Sequence, residues 1–277
     1  MTLSRLLLST LAALLFGTAA AQTPPQQQPL RIGVTPGAIA DSVETAAAEA
    51  RKQGLEVKVV EFTEWTGPNT ALEAGDLDAN YFQHLPFLEN AVKDRHYKFK
   101  AVAVGLLPNQ GLFSLKYKRF ADLPDGARVA IASDPANQGR GLLLLQRAGL
   151  LRLRDGVGDR GRLDDVVANP KKLKLIEIDG PQLVRSLDDV DLAQGVTSHY
   201  VAAGKADIAD RHGLLYTDAQ DARWAIHFVA REDNANDPRL LRFIRIYQES
   251  PAVRERIRAS YANNDKFYSL PWLGGKP

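Results

Sequence analysis

The feature that most constrains this chain is an alternation. Short apolar runs of strand length are each followed by a stretch in which apolar residues recur at helical spacing. "LRIGV" (30–34), "LEVKVVEF" (55–62), "LDANYF" (77–82) and "KAVAVGLL" (100–107) read as strands. Between them "DSVETAAAEARKQG" (41–54), a short segment from Pro68 to Ala74, and "LPFLENAVKDR" (85–95) read as helices. Ser42 or Asp41 is expected to cap the first of these, and Gly54 to stop it. Such a β-α-β order predicts parallel strands with helices laid on the sheet faces. At "PNQGLFSL" (108–115) the pattern restarts with a strand, a turn at "LPDGAR", a strand "RVAIA" (128–132) and a helix through "PANQGRGLLLLQRAGLL". A strand "LKLIEI", a helix from near Gln182, an apolar patch "LAQGV" and a strand "WAIHFVA" (224–230) follow, then two helices opening at Pro238 and Pro251. The restart predicts an α/β protein of two lobes, with a cleft between them as the place for a small molecule. No fixed-period repeat is visible, which argues against a solenoid.

The first residues, "MTLSRLLLSTLAALLFGTAAAQ", combine a single arginine, an apolar run and a small-residue end, the pattern of a secretory signal peptide over 1–21. That run is too short to span a bilayer. The polar, proline-rich "QTPPQQQP" after it (22–29) is expected to be a disordered tether. The remaining ~250 residues suffice for two modest cores. Basic and acidic side chains nearly balance, 35 against 33, and are intermixed, which disfavours a nucleic-acid partner. Cysteine is absent, so thiolate catalysis, zinc-thiolate sites and disulfides are excluded, as is a lipid-bearing cysteine after the signal.

Two stretches carry chemistry. In "SDPANQGRG" (133–141), Asp134 before Pro135 fits an N-cap followed by a first-turn proline, which places Asn137 and Arg140 near a helix N-terminus. Free backbone N–H groups and a guanidinium there suit a carboxylate. The competing reading is a solvated Arg140 paired with Asp134 or Asp164. In "DANYFQHLPFLE" (78–89), Phe82 and Phe87 flank His84, and Trp65 lies in "EWTGPN" upstream. These rings either wall an apolar pocket, with Phe82 and His84 on one side of a strand, or pack as core around a capping histidine.

Other chemistries fail on spacing. "DLDAN" begins like a calcium loop, but Tyr81 stands where glycine is required and Phe87 where a bidentate glutamate belongs. The five histidines show no paired spacing for zinc, so no metal is expected. No G-x-S-x-G elbow accompanies the Ser198-His199 pair, and "GVGDRGR" lacks the lysine of a phosphate loop, so neither an enzyme nor a cofactor is expected.

"GDLDANYFQHLPFLENAVKDRHYK", "AVAVG", "SDPANQGRGLLLLQRAGLLRLRDGVG", "DVVANPKKLKLIEIDGPQLVRSLDD" and "VAREDN" together resemble the NlpA lipoprotein family, whose MetQ-type members are methionine-binding proteins of ABC importers. The similarity runs from about Leu30 into the 260s. It implies a type II periplasmic-binding-protein fold that closes on a free amino acid, with no catalysis and no cofactor. The implied partners are a permease with its ATPase, the implied state is a monomer, and the implied location is periplasmic or otherwise extracytoplasmic. The expected division is 30–107 plus 228–277 for lobe I and 108–227 for lobe II. Carried over by position, Trp65, Phe82, His84 and Phe87 match the pocket around the ligand side chain, Arg140 the carboxylate clamp and Asn137 its polar neighbour. Ser198 and Ile226 stand where the resemblance leads one to expect asparagines at the ligand's polar end. The family's acylated cysteine has no counterpart, which implies release in soluble form. Methionine is the leading ligand, with another apolar amino acid or a short peptide as the alternative, and a sensing or envelope-interaction role remains beside transport.

Overall fold

A computed structural model describes residues 28–217 and 219–274, without the side chains of 219 and 220. The signal peptide and all but the last two residues of the tether, as assigned from the sequence, lie outside the described residues. In the first half, β1 (Leu30–Val34), α1 (Ala38–Lys52), β2 (Val57–Glu61), α2 (Gly67–Glu73), β3 (Ala79–His84), α3 (Leu85–Arg95) and β4 (Phe99–Val104) follow the expected alternation. Leu30, Ile32, Gly33 and Val34 of β1 are all buried, as a strand covered on both sheet faces must be.

The start of α1 differs from expectation. Gly37, at φ 89°, makes the turn, and the helix begins at Ala38 with no side-chain cap. Ser42 and Asp41 therefore lie inside it. The Ser42 hydroxyl donates to the Ile39 carbonyl, and the Asp41 carboxylate accepts from Arg256 and Ser260. A glycine free to take positive φ supplies the turn that a capping side chain would otherwise stabilise. The stop is as expected, with Gly54 at φ 75°.

The chain then passes through the two-residue β5 (Leu107–Pro108) into β6 (Gln110–Phe113), β7 (Arg128–Ala132) and α4 (Pro135–Arg147). Two short strands, β8 (Arg152–Leu153) and β9 (Val166–Ala168), form a hairpin-like pair. β10 (Lys174–Ile178), α5 (Leu183–Ser186), β11 (Leu192–Val196), α6 (Thr197–Ala202), α7 (Ala206–Arg211) and β12 (Gly213–Tyr216) complete the second half. The chain returns through β13 (Ile226–Arg231) to α8 (Pro238–Glu249), α9 (Pro251–Ser260) and β14 (Tyr268–Ser269). Both terminal helices start at their prolines, capped by Asp237 and Ser250.

Two five-stranded sheets result, ordered β2-β1-β3-β13-β4 and β10-β7-β11-β6-β12. In each, the outer strands of one side run parallel while one strand pairs antiparallel, β13 against β3 and β4, β6 against β11 and β12. Ile226 and His227, placed in the second lobe by the sequence reading, run in the first sheet, opposite His84 and Gln83. The first lobe therefore takes the chain back two residues earlier, because the antiparallel ladder on β3 reaches to that strand's last residue.

The chain crosses between sheets after β4 and again before β13, and both crossings are tied down. Gly105 N–H donates to the Ile226 carbonyl, Ile226 N–H to the Leu106 carbonyl, and Leu106 N–H to the Tyr81 hydroxyl. Tyr81 is itself stacked on Phe228 at 4.1 Å and hydrogen-bonded to Tyr247 at 2.8 Å, so the outgoing strand is anchored in the first lobe's core. β14 pairs with β5 beside the outgoing crossing.

Candidate functional site

Between the sheets lies a narrow cavity of about 60 Å³. All eight residues singled out from the sequence line it: Trp65, Phe82, His84, Phe87, Asn137, Arg140, Ser198 and Ile226.

The first lobe supplies rings because of how β3 ends. Its last residue, His84, is also the N-cap of α3, and its Nδ1 accepts the Phe87 N–H at 3.2 Å. With Nδ1 accepting, the ring proton resides on Nε2, which donates to Asn137 Oδ1 at 3.1 Å across the cleft. The capping and pocket readings of His84 therefore both hold, one for each nitrogen. Burial, with the Arg140 charge nearby, holds its pKa down at about 3, so the ring is neutral. Phe87 sits at the centre of the aromatic wall, edge-on to Phe82 at 5.8 Å, to His84 at 6.2 Å and to Trp65 at 6.3 Å. Trp65 rides on a loop ordered by Glu64, whose carboxylate accepts from the Thr66 and Gly67 N–H groups and the Thr66 hydroxyl. Beneath the wall, Gln83, Asn69 and Asn80 satisfy one another in a buried amide network.

The second lobe supplies the charge. Asp134 caps α4 by accepting the Asn137 N–H at 3.0 Å, and it also accepts from the Asn137 side-chain amide. Gln194 on β11 bridges the helix to the sheet, donating to the Asn137 carbonyl and accepting from the Ala132 N–H. Gly141 permits that approach, since a Cβ there would strike the Gln194 amide. Arg140, one turn into α4, is only 4% exposed, so the solvated alternative is excluded. Its Nε and Nη2 have no hydrogen-bond partner. Its guanidinium carbon lies 4.8 Å above the Trp224 ring. Burial lowers its pKa to about 9, with Asp221 opposing the shift.

Of the seven lining residues outside that set, Trp224 and His199 contribute rings. Trp224 packs against both His84, at 4.8 Å, and Arg140, and precedes by two positions the strand that the sequence pattern starts at it. His199, considered only as a partner for Ser198, faces Trp65 at 6.0 Å, with burial holding its pKa near 4. Neither residue carries a local pattern, because each reaches the cavity through the folding of the other lobe against it. Among the described residues no cluster of side chains suited to a metal ion is found.

Ring walls from one lobe, a buried guanidinium with Nε and Nη2 unbonded from the other and two crossing strands between them define a two-lobe substrate-binding protein of the periplasmic type. Solved structures of that class superimpose closely. A nutrient-binding protein from Burkholderia cenocepacia bound to methionine has a TM-score of 0.79 at 35% identity, covering 87% of this chain and 99% of that one. The methionine-binding protein MetQ has a TM-score of 0.76 at 38% identity, covering 84% and 95%. Among curated proteins, the D-methionine-binding lipoprotein MetQ of Escherichia coli K12 is 40% identical over 220 residues, 79% of this chain and 81% of that protein. Outer membrane lipoprotein 2 of Mannheimia haemolytica is 40% identical over 232 residues, 83% of each. The family model described as NlpA lipoprotein matches residues 30–268, and the chain belongs to that family.

Proposed function

We propose that this protein captures a small carboxylate with an apolar side chain, methionine or a related amino acid, between its lobes and delivers it to an ABC importer. The observation that carries the reading is Arg140, buried yet with Nε and Nη2 free. A buried guanidinium left unpaired is costly, and two parallel N–H groups fit the two oxygens of a carboxylate. The rings of Phe82, Phe87 and Trp65 then accept the side chain, and Ser198 and Ile226 border its α-substituent. His84 to Asn137 closes the cleft, and a ligand touching both lobes favours that closed form by its differential affinity. No bond is made or broken.

One relative is named a D-methionine-binding lipoprotein and one similar structure holds methionine, which supports methionine as the first ligand to try. The leader-like N-terminus supports export. Because the sequence holds no cysteine, we place the mature chain outside the cytoplasmic membrane without an acylated cysteine, and as a monomer facing its permease. Native mass spectrometry of freshly purified protein, followed by calorimetric titration of the stripped protein with amino acids, tests the reading. A retained metabolite bearing a carboxylate is expected. Absence of binding by any small carboxylate would overturn it.

A further inference from the structure

We propose that Trp224 is a positioning residue for carboxylate recognition: its ring seats the Arg140 guanidinium while leaving N–H groups open to the ligand. This deepens the proposed function and rests on the reading of Arg140 as the carboxylate clamp.

Trp224 lies in the returning crossing. It is the last residue of the short helical segment Ala219–Trp224, two positions before β13. Its side chain is buried and packs in one cluster with Leu107 of the outgoing crossing. From there it meets one polar side chain of each lobe. The His84 ring of the first stands edge-on at 4.8 Å, and the Arg140 guanidinium carbon of the second lies over the indole, 4.8 Å from its centroid.

An arginine side chain is long and rich in rotamers, so a fork that must meet two carboxylate oxygens needs something to hold it still. Hydrogen bonds do not hold Nε and Nη2, which have no partner. A carboxylate beneath Arg140 could hold the fork only by occupying the N–H groups a ligand needs. An aromatic face attracts the cation through its π-electrons and uses up no donor, and the attraction is stronger where water is excluded.

The same crossing supplies the countercharge. Asp221 opposes the lowering of the Arg140 pKa that burial causes, and its carboxylate also pairs with Arg147 at 3.7 Å. Arg140, Arg147, Asp221 and Trp224 line a second cavity together. Asp221 thus moderates the cost of the buried charge from a distance, and Trp224 sets where that charge sits.

A residue that only filled space would, when replaced, weaken every ligand alike. Titration calorimetry with methionine and methioninamide separates the two roles, because at about pH 6 both carry the same side chain and a charged amine and differ at the carboxylate. The ligand-stripped wild type is expected to prefer methionine by at least about 100-fold. Trp224→Met and Trp224→Leu, which lack a ring, are expected to reduce that ratio by about tenfold, and Trp224→Phe, which keeps a face, by less than about threefold. One folded ringless variant suffices for the comparison. A ringless variant that weakens both ligands by the same factor overturns the inference and leaves the proposed function standing. So does a Trp224→Phe ratio that falls as far as the ringless ones. A wild type that binds methioninamide as tightly as methionine overturns the clamp itself, and the inference with it.

Discussion

Replacing Arg140 with methionine should move binding and stability in opposite directions. Burial brings the guanidinium from 12.5 down to about 9. At ~1.4 kcal/mol per tenfold change in proton affinity, its charge sits ~5 kcal/mol above its hydrated level in the closed cleft. Loss of the contact with Trp224 returns about 1–2 kcal/mol of that, and some strain from repacking returns more. A net gain of about 2 kcal/mol remains, which for a protein of this size raises the melting temperature by about 4–8 °C. Binding loses two charge-assisted hydrogen bonds of about 1.5–3 kcal/mol each, so affinity for a carboxylate ligand should fall by more than about 100-fold. Differential scanning calorimetry of ligand-stripped wild type and Arg140→Met, with titration calorimetry beside it, reads both effects. Affinity kept within about threefold, or a melting temperature that falls by more than about 4 °C, would refute the assignment of Arg140 as an unpaired buried charge awaiting an anion.

Three further outcomes follow from the same geometry. His84 and His199 have folded pKa values of about 3 and 4, below the free value of 6.5, so the unfolded chain binds more protons between those limits. Stability is then full above pH 6.5 and declines as pH falls toward 4, by about 2 kcal/mol at pH 5 for His84 alone; a His84→Gln variant should show a flatter fall of melting temperature between pH 7 and 5. Gly180 has no room for a side chain because the Trp65 ring of the opposite lobe rests on it, so Gly180→Ala should hold the cleft ajar. Small-angle scattering should then find no contraction on adding ligand, and a normal contraction would contradict the packing. Arg223, in the returning crossing, bridges Glu89 of the first lobe at 2.6 Å and Asp159 of the second at 2.8 Å. Being half exposed, these pairs are worth about 0–1 kcal/mol each, so Arg223→Ala should raise the ligand off-rate by about fivefold at low salt and less at high salt.

The elements that organise locally were legible in the sequence. "RVAIA", the Asp134-Pro135 start of α4 and the helices at Pro238 and Pro251 fall where the pattern puts them, because caps, prolines and apolar periods act over a few residues. The first helix was missed by three residues because Gly37 does silently, through φ, what Ser42 or Asp41 does visibly elsewhere. α6 and α7, six residues each, went unread, since so short a helix is held by the lobe around it and not by its own period.

Sequence alone determined which residue types this protein could use: one clamp arginine after a capped helix start, a knot of rings around His84, no thiol chemistry and an aliphatic residue at 226. Tertiary structure decided what those residues became. The two sheets, closed on each other, stripped water from Arg140, directed the second nitrogen of His84 to Asn137, and brought in Trp224 and His199 from distant sequence. Burial and long-range proximity set the charge state of a side chain, and neither exists until the chain has crossed between its lobes and come back.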